Sequence, residues 1–289
     1  DMNFATDDDV TLYYEDSGSK DAVAVIFAHE FAGEVGSWDD QIAALKNDYR
    51  CVAYAARGWL PSEVPEDPAA YSIERAVADM IGLMDHLELE KAHVVGLSMG
   101  SNTTLQSALW HPERCHSLTM SSSGYGAMTE GRAEFQNACH DMSARLINEG
   151  WANMADTYGD GPFRKSFKRK HPEAHADFLK RLSGHSSLGS ALTQRGIQAH
   201  RPSFVEQEEA LKALTLPTLL IVGDDDHPGL AGTLYLKQVI ATAGLYVSPR
   251  TGHQVNLEEP EVFNHVLRQF LSAVGDGSWG VHPDTDRMF

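Results

Sequence analysis

The stretch AHVVGLSMG, residues 92–100, constrains this chain more than any other. AHVV reads as the end of a buried strand. From Met99 a helical pattern runs to about Trp110, and Pro112 stops it. A serine between two glycines at that junction requires a tight reversal that keeps its hydroxyl exposed, and Gly96 and Gly100 leave room for the neighbouring strands and helix. A G-x-S-x-G pentapeptide is common by chance. The strand–turn–helix setting is what makes Ser98 a candidate nucleophile. The Met99 amide then lies at a helix N-terminus, where it can donate to a developing oxyanion.

The rest of the chain keeps the same rhythm. VTLYYED alternates as an early strand. AVAVIFAH is a continuous apolar run of the kind found in strands buried on both faces, and it enters the loop HEFAGEVGSW. A short helix is predicted over 38–45, then the strand YRCVAYAARG and the turn-rich GWLPSEVPEDP. Ser72 is a predicted N-cap. After it Ile73, Ala76, Val77, Met80, Ile81, Met84 and Leu87 form one apolar helical stripe. SLTMSSSG is a further strand. From 124 to 210 the patterns turn helical without a buried strand, predicting a helical insertion that lids the sheet. LPTLLIVGDDD, a helix over 230–242, GLYVSPRTGH and a helix over 260–274 resume the alternation. The expected fold is α/β: a mostly parallel sheet with helices on both faces, a core of 1–123 and 211–275, the insertion at 124–210, and an unpatterned tail at 276–289. Right-handed crossovers then place the carboxyl ends of the strands along one edge, where ligands bind.

Composition narrows the partners. A formal net charge of -18 argues against nucleic-acid phosphate and anionic lipid, and leaves a small molecule as the expected partner. No apolar run reaches the roughly 20 residues a membrane span needs. The acidic opening DMNFATDDDV has no apolar h-region, so no signal peptide is expected. Cys51, Cys115 and Cys139 are odd in number and widely spaced, which argues against a disulfide framework or zinc site and for a reducing, cytoplasmic compartment. His171 and His175 share a helix face but lack a third ligand, so no metal is expected. The oligomeric state is not set by the sequence.

Serine needs a base, and the base needs an orienting acid. With the nucleophile on such an elbow, the chain order is serine, acid, histidine. Among 14 histidines, His253 is distinguished by position, in the loop between the last strand and the last helix, which opens on the Ser98 edge. His29, His227 and His282 are predicted in other loops, and His265 inside a helix. The loop after SLTMSSSG carries no carboxylate, so the acid comes from GDDD. Asp226 is preferred to Asp224 and Asp225 because it lies furthest along the loop and can turn back towards His253. The backbone N–H of Phe31, in the loop after AVAVIFAH, is the second candidate oxyanion donor.

With these residues in place, the chain resembles the α/β-hydrolase fold family, in its lidded esterase and C–C hydrolase branch. AHEFAG matches the oxyanion loop, RGWLPS the arginine–glycine loop, GLSMGS the elbow, VGDDD the acid loop and GHQVNLEEPEVF the histidine loop and final helix. The resemblance implies Ser98 as nucleophile, His253 as general base and acid, Asp226 as orienting carboxylate, and the Phe31 and Met99 amides as the oxyanion hole. It implies no cofactor. The relatives that open epoxides or displace halide carry aspartate at the elbow, where this chain has Ser98. Two positions depart from the pattern. Glu30 stands where glycine is usual: either it points away from the site, the preferred expectation because a desolvated carboxylate without a partner is costly, or it has a substrate role such as gripping an amine or hydroxyl. Ser101 also replaces a glycine and is expected to tune helix packing. His29, Glu30, Tyr125, Met128, Trp151, Tyr158 and Phe163 are the candidate pocket residues. The expected reaction is hydrolysis of a small carboxylic ester through an acyl-enzyme. The same residues serve C–C, amide or lactone cleavage, and a receptor that binds with little turnover is the rival from another class.

Overall fold

The computed structural model describes residues 2–281 and is built on a sheet of eight strands. These are β1 (Asn3–Ala5), β2 (Thr11–Ser17), β3 (Ala24–Ala28), β4 (Arg50–Tyr54), β5 (Ala92–Leu97), β6 (Cys115–Ser121), β7 (Thr218–Gly223) and β8 (Ala243–Ser248). Their spatial order is β1-β2-β4-β3-β5-β6-β7-β8. β1 pairs antiparallel with β2, and β2 with β4; every other pairing is parallel. Every residue of β3, β4, β5 and β7 is buried, as continuous apolar runs predict for strands covered on both faces. β1 went unread because three residues carry no measurable period.

The helices are α1 (Asp39–Leu45), α2 (Ile73–His86) and α3 (Met99–Trp110), then α4 (Arg132–Asn148), α5 (Trp151–Gly159), α6 (Lys165–Lys170), α7 (Pro172–Ser183), α8 (Ser187–Thr193) and α9 (Glu208–Ala213) between β6 and β7, and finally α10 (His227–Val239), α11 (Val255–Glu258) and α12 (Pro260–Gly275). Alternate strand residues serve two separate cores. Ile26, Val52, Val94, Leu118 and Leu220 pack with Met80, Leu83 and Met84 of α2, Leu105 of α3 and Leu236 of α10. Val25, Phe27, Val95, Leu97 and Ile221 pack on the other face with Leu45 of α1 and Phe263, Leu267, Phe270 and Leu271 of α12. Burying each such side chain contributes about 1.5–3 kcal/mol. A one-residue register slip would exchange the two sets, so the strand ends, and the loops that leave them, are fixed in place.

Local signals set the helix ends. The Ser72 hydroxyl accepts the Arg75 amide at 3.0 Å, which starts α2 where the sequence predicts. α10 begins at His227 rather than 230, because Asp226 caps it by accepting the Gly229 amide (3.4 Å) with Pro228 in the first turn. His227 is thus helical. α10 ends at Val239 rather than 242, because Ile240 turns extended towards β8. The start of the tail is anchored: the Trp279 ring lies 4.7 Å from Phe270, and its Nε1 donates to the Thr242 carbonyl at 2.8 Å. His282 lies outside the described residues. All three cysteines are buried and free. Among the described residues no helix is long and apolar enough to cross a membrane.

Candidate active site

Ser98 leaves β5 with φ 53° and ψ -112°, a left-handed conformation that costs a non-glycine residue on the order of 1–3 kcal/mol. The surroundings impose it. The Ser98 amide donates to the Ser121 carbonyl at 2.8 Å, and the Ser98 carbonyl accepts the Ser101 and Asn102 amides at 3.0 and 3.2 Å. It also accepts the Asn102 side-chain amide at 3.0 Å and the Ser101 hydroxyl at 2.5 Å. Ser101 therefore braces the elbow, and bonds the Ser123 hydroxyl as well, rather than only tuning helix packing. A Cβ at Gly96 would strike the Gly100 carbonyl, and one at Gly100 the Ala28 carbonyl, so both glycines permit the crossing of strand and helix.

The acid and histidine loops leave the neighbouring strand ends. Asp226 Oδ2 lies 2.7 Å from His253 Nδ1, while the other carboxylate oxygen caps α10. One helix cap thus fixes the acid's orientation. Of the other two aspartates, Asp224 instead accepts the Thr251 amide at 3.3 Å, and among the described residues Asp225 bonds through its backbone amide, to the Thr251 carbonyl. The His253 backbone is held twice: its amide donates to the Phe163 carbonyl (2.8 Å) and its carbonyl accepts the Ser122 hydroxyl (2.6 Å). Burial alone would lower the His253 pKa. Burial is the largest single influence, but the charge and hydrogen bond of Asp226 together with the charge of Glu30 outweigh it against the opposition of Arg164, and the net direction is upward.

Glu30 does not point away. Its carboxylate is buried, lines the same cavity as Ser98, and comes within 3.6 Å of His253 Nε2. The expectation failed because it assumed no partner. Arg164, just before α6, donates to both Glu30 oxygens at 3.5 and 3.2 Å, and the Gln254 side-chain amide donates at 2.6 Å. Burial would raise the Glu30 pKa, but Arg164 and then His253 hold it below the ordinary value. The Arg164 guanidinium also lies over the rings of Tyr158 and Phe178, at 5.4 and 5.2 Å.

His29 is buried beneath the loop and does not line the cavity. The Ala56 amide donates to its Nε2 at 3.1 Å, so Nδ1 carries the proton and donates to the Glu30 carbonyl at 2.8 Å. Burial, above all, lowers its pKa to about 4, and the ring is a neutral brace. Among the described residues, the Phe31 and Met99 amides donate to no other backbone or side-chain group.

Ser98, Asn102, Ser122, Glu30, Phe31 and His253 line one end of a cavity of ≈ 250 Å³, with Tyr125, Phe135, Cys139, Tyr158, Arg164, Gln194, Gln198 and Arg201 from the helical segment around the rest. Of the candidate walls, Tyr125, Tyr158 and Glu30 lie there. Trp151 is instead in the interior of the helical segment, its Nε1 bonded to the Ser190 hydroxyl at 2.8 Å. Met128 packs on the sheet core, and Phe163 meets the histidine loop through its carbonyl. His171 and His175 turn their Nε2 atoms to two different carbonyls, of Glu258 and Gly159.

Residues 23–260 match the model of a family described as the alpha/beta hydrolase fold. The chain is 27% identical to 3-oxoadipate enol-lactonase 1 of Acinetobacter baylyi, over 91% of this chain and 94% of that protein. It is 29% identical to 3-oxoadipate enol-lactonase 2 of the same organism, over 92% and 95%. A thermophilic esterase from Thermogutta terrifontis superposes with a TM-score of 0.83 at 25% identity, over 94% of this chain and 97% of that one.

Proposed function

The chain belongs to the alpha/beta hydrolase fold family and is a hydrolase, and on that premise we propose that it cleaves a small-molecule carboxylic ester through an acyl-enzyme on Ser98. His253 acts as general base and acid, and Asp226 orients it. The observation that carries this reading is the 2.7 Å Asp226–His253 contact at a cavity shared with a serine held at positive φ.

The Ser98 hydroxyl attacks the carbonyl as its proton passes to His253 Nε2. The Met99 and Phe31 amides receive the developing oxyanion, each worth about 10²–10³ in rate. The imidazolium so formed stands between the Asp226 and Glu30 carboxylates, which favour its charge. It then protonates the leaving alcohol, and water repeats the sequence on the acyl-enzyme. Arg164 neutralises Glu30, so that the carboxylate supports the imidazolium with its repulsion of the oxyanion reduced. Residues 124–210 serve as a cap, supplying Arg164, Tyr158 and Tyr125 to the cavity. The buried, unpaired thiols support a reducing compartment such as the cytoplasm.

Lactone opening is the second reading, favoured by the likeness to enol-lactonases. A lactone is a cyclic ester, so the residues keep their roles. Turnover of 4-nitrophenyl esters and of small lactones by wild type and Ser98→Ala tests both. Wild type is expected to be active on at least one class and the variant on neither; full activity of the variant would refute the assignment.

A further inference from the structure

Among the described residues four arginines are buried, and three have carboxylate partners. Arg50 pairs with Asp16 at 2.7 Å, Arg57 with Asp79 at 2.7 Å and Asp8 at 2.9 Å, and Arg164 with Glu30 at 3.2 Å. Arg201, only 4% exposed, has no acid within ion-pair distance among the described residues. Its Nη groups bond neutral oxygens, those of the Gln198 side chain and the Tyr125 carbonyl, and its guanidinium lies 5.1 Å from the Phe135 ring centroid. Its Nε has no partner among the described residues. Glu206, on the same loop, is engaged by the Ser203 amide at 2.7 Å instead. A second cation lies on the same side of the cap: an Arg132 guanidinium nitrogen donates to the Arg201 backbone carbonyl. Burial, chiefly, lowers the Arg201 pKa to about 10, so the group is charged at neutral pH.

An unpaired buried cation is costly, and natural chains keep one where something else supplies the counter-charge. Arg201 lines the cavity that holds Ser98 and His253. The chain also deforms locally on this wall: α8 runs into a π-helical turn, Gln194–Gln198, closed by the Ala199 amide on the Gln194 carbonyl at 3.0 Å. Such turns are rare and recur at functional sites. Here Gln194 and Gln198 both reach the cavity, beside Arg201.

We propose that Arg201 is a carboxylate-binding subsite, so that the substrate is a small ester or lactone bearing a free carboxylate away from its scissile bond. The assignment rests on the reading of Ser98 as nucleophile. The carboxylate meets the guanidinium from the cavity that Arg201 lines, where the planar group can offer paired N–H donors. Its charge balances Arg201 in the bound state, as Glu30 balances Arg164. The cavity of ≈ 250 Å³ restricts such a substrate to a short chain between carboxylate and ester.

The test compares the 4-nitrophenyl monoester of glutaric acid, an anion, with its neutral methyl diester analogue. Wild type is expected to favour the anion by roughly 10- to 100-fold in kcat/KM, mainly through KM, as a charge-assisted contact predicts. Free glutarate is expected to inhibit the neutral reaction competitively, and glutaramide not to. In Arg201→Gln the anionic ester should lose roughly 10- to 100-fold more than the neutral one, and Arg201→Lys should keep part of the preference because it keeps the charge. Equal use of the two esters by wild type, or a parallel loss on both in Arg201→Gln, would overturn the proposal. Should Arg201→Gln fail to fold, the wild-type ratio and glutarate inhibition decide. Should neither ester turn over, the ester reading fails by itself. The subsite is then read from the melting temperature of the Ser98→Ala protein with glutarate: a rise supports it, and no change rejects it.

Discussion

The loops that leave β3 and β8 each bring a histidine to the same edge of the sheet, His29 buried and His253 largely so, yet their surroundings move the two rings in opposite directions. His29 meets an amide on one nitrogen and a carbonyl on the other, so burial wins and the ring stays neutral. His253 meets Asp226 at one nitrogen and has Glu30 near the other, so two carboxylates outweigh burial. The lesson is that depth alone assigns no role to a buried titratable group; the charge of its partners does. The first ring is a strut, and the second is equipped to accept a proton.

The sharpest way to break that comparison is to remove the proposed chemistry. Ser98→Ala and His253→Ala should each reduce kcat by about 10⁴-fold or more, whereas His29→Asn should retain much of it, all measured with a chromogenic ester. Asp226→Asn should cost roughly 10³–10⁴ in kcat. Asp226→Ala, which unlike Asn removes the cap, should also weaken α10 by about 1 kcal/mol, read by chemical denaturation.

Glu30→Gln comes next. It strands the buried Arg164, at about 3–5 kcal/mol of stability, and Glu30→Gln/Arg164→Met should recover much of that loss. The same change tests the histidine. The active form needs neutral His253, and a raised pKa places the acid limb of kcat/KM above the ordinary value near 6.5. Without the Glu30 charge that limb should move to lower pH; a stationary limb would remove Glu30 from the account.

The pH dependence of stability separates the two rings further. For His29 the folded pKa lies below the unfolded one. Its contribution is therefore lost as pH falls from 6.5 to about 4, by about 3 kcal/mol in all. Stability curves of His29→Asn should be flatter than wild type over that window. His253 has the opposite sign: its contribution is present below the unfolded pKa and is lost as pH rises through the folded one. The smallest effect belongs to Ser122→Ala, which frees the His253 carbonyl and should cost about 1 kcal/mol, with a few-fold loss of kcat.

Much of this site is legible in the sequence because it depends on local order. The elbow, the continuous strands and the Ser72 cap all follow from neighbours within a few residues. Asp226 was separable from Asp224 and Asp225 because reach along a short loop decides which can meet His253. What escaped depends on distant partners. Glu30 reads as a liability until Arg164, 134 residues later, arrives to pair with it. Trp151 and Tyr158 sit in the same helix, and no period in the segment tells which ring faces the cavity. α3 is buried from Met99 to Ala108, so it offers no stripe and was located only by its position after the elbow. Arg201 carries no motif; its signal is the lack of an acid partner among the described residues, which depends on how distant segments pack.

The most direct measurement is active-site labelling with a fluorophosphonate, followed by peptide mass spectrometry. The account predicts one adduct per chain on Ser98, absent from Ser98→Ala and formed far more slowly in His253→Ala. Esterase turnover that persists with Ser98 unlabelled, or an adduct on another serine, would contradict it.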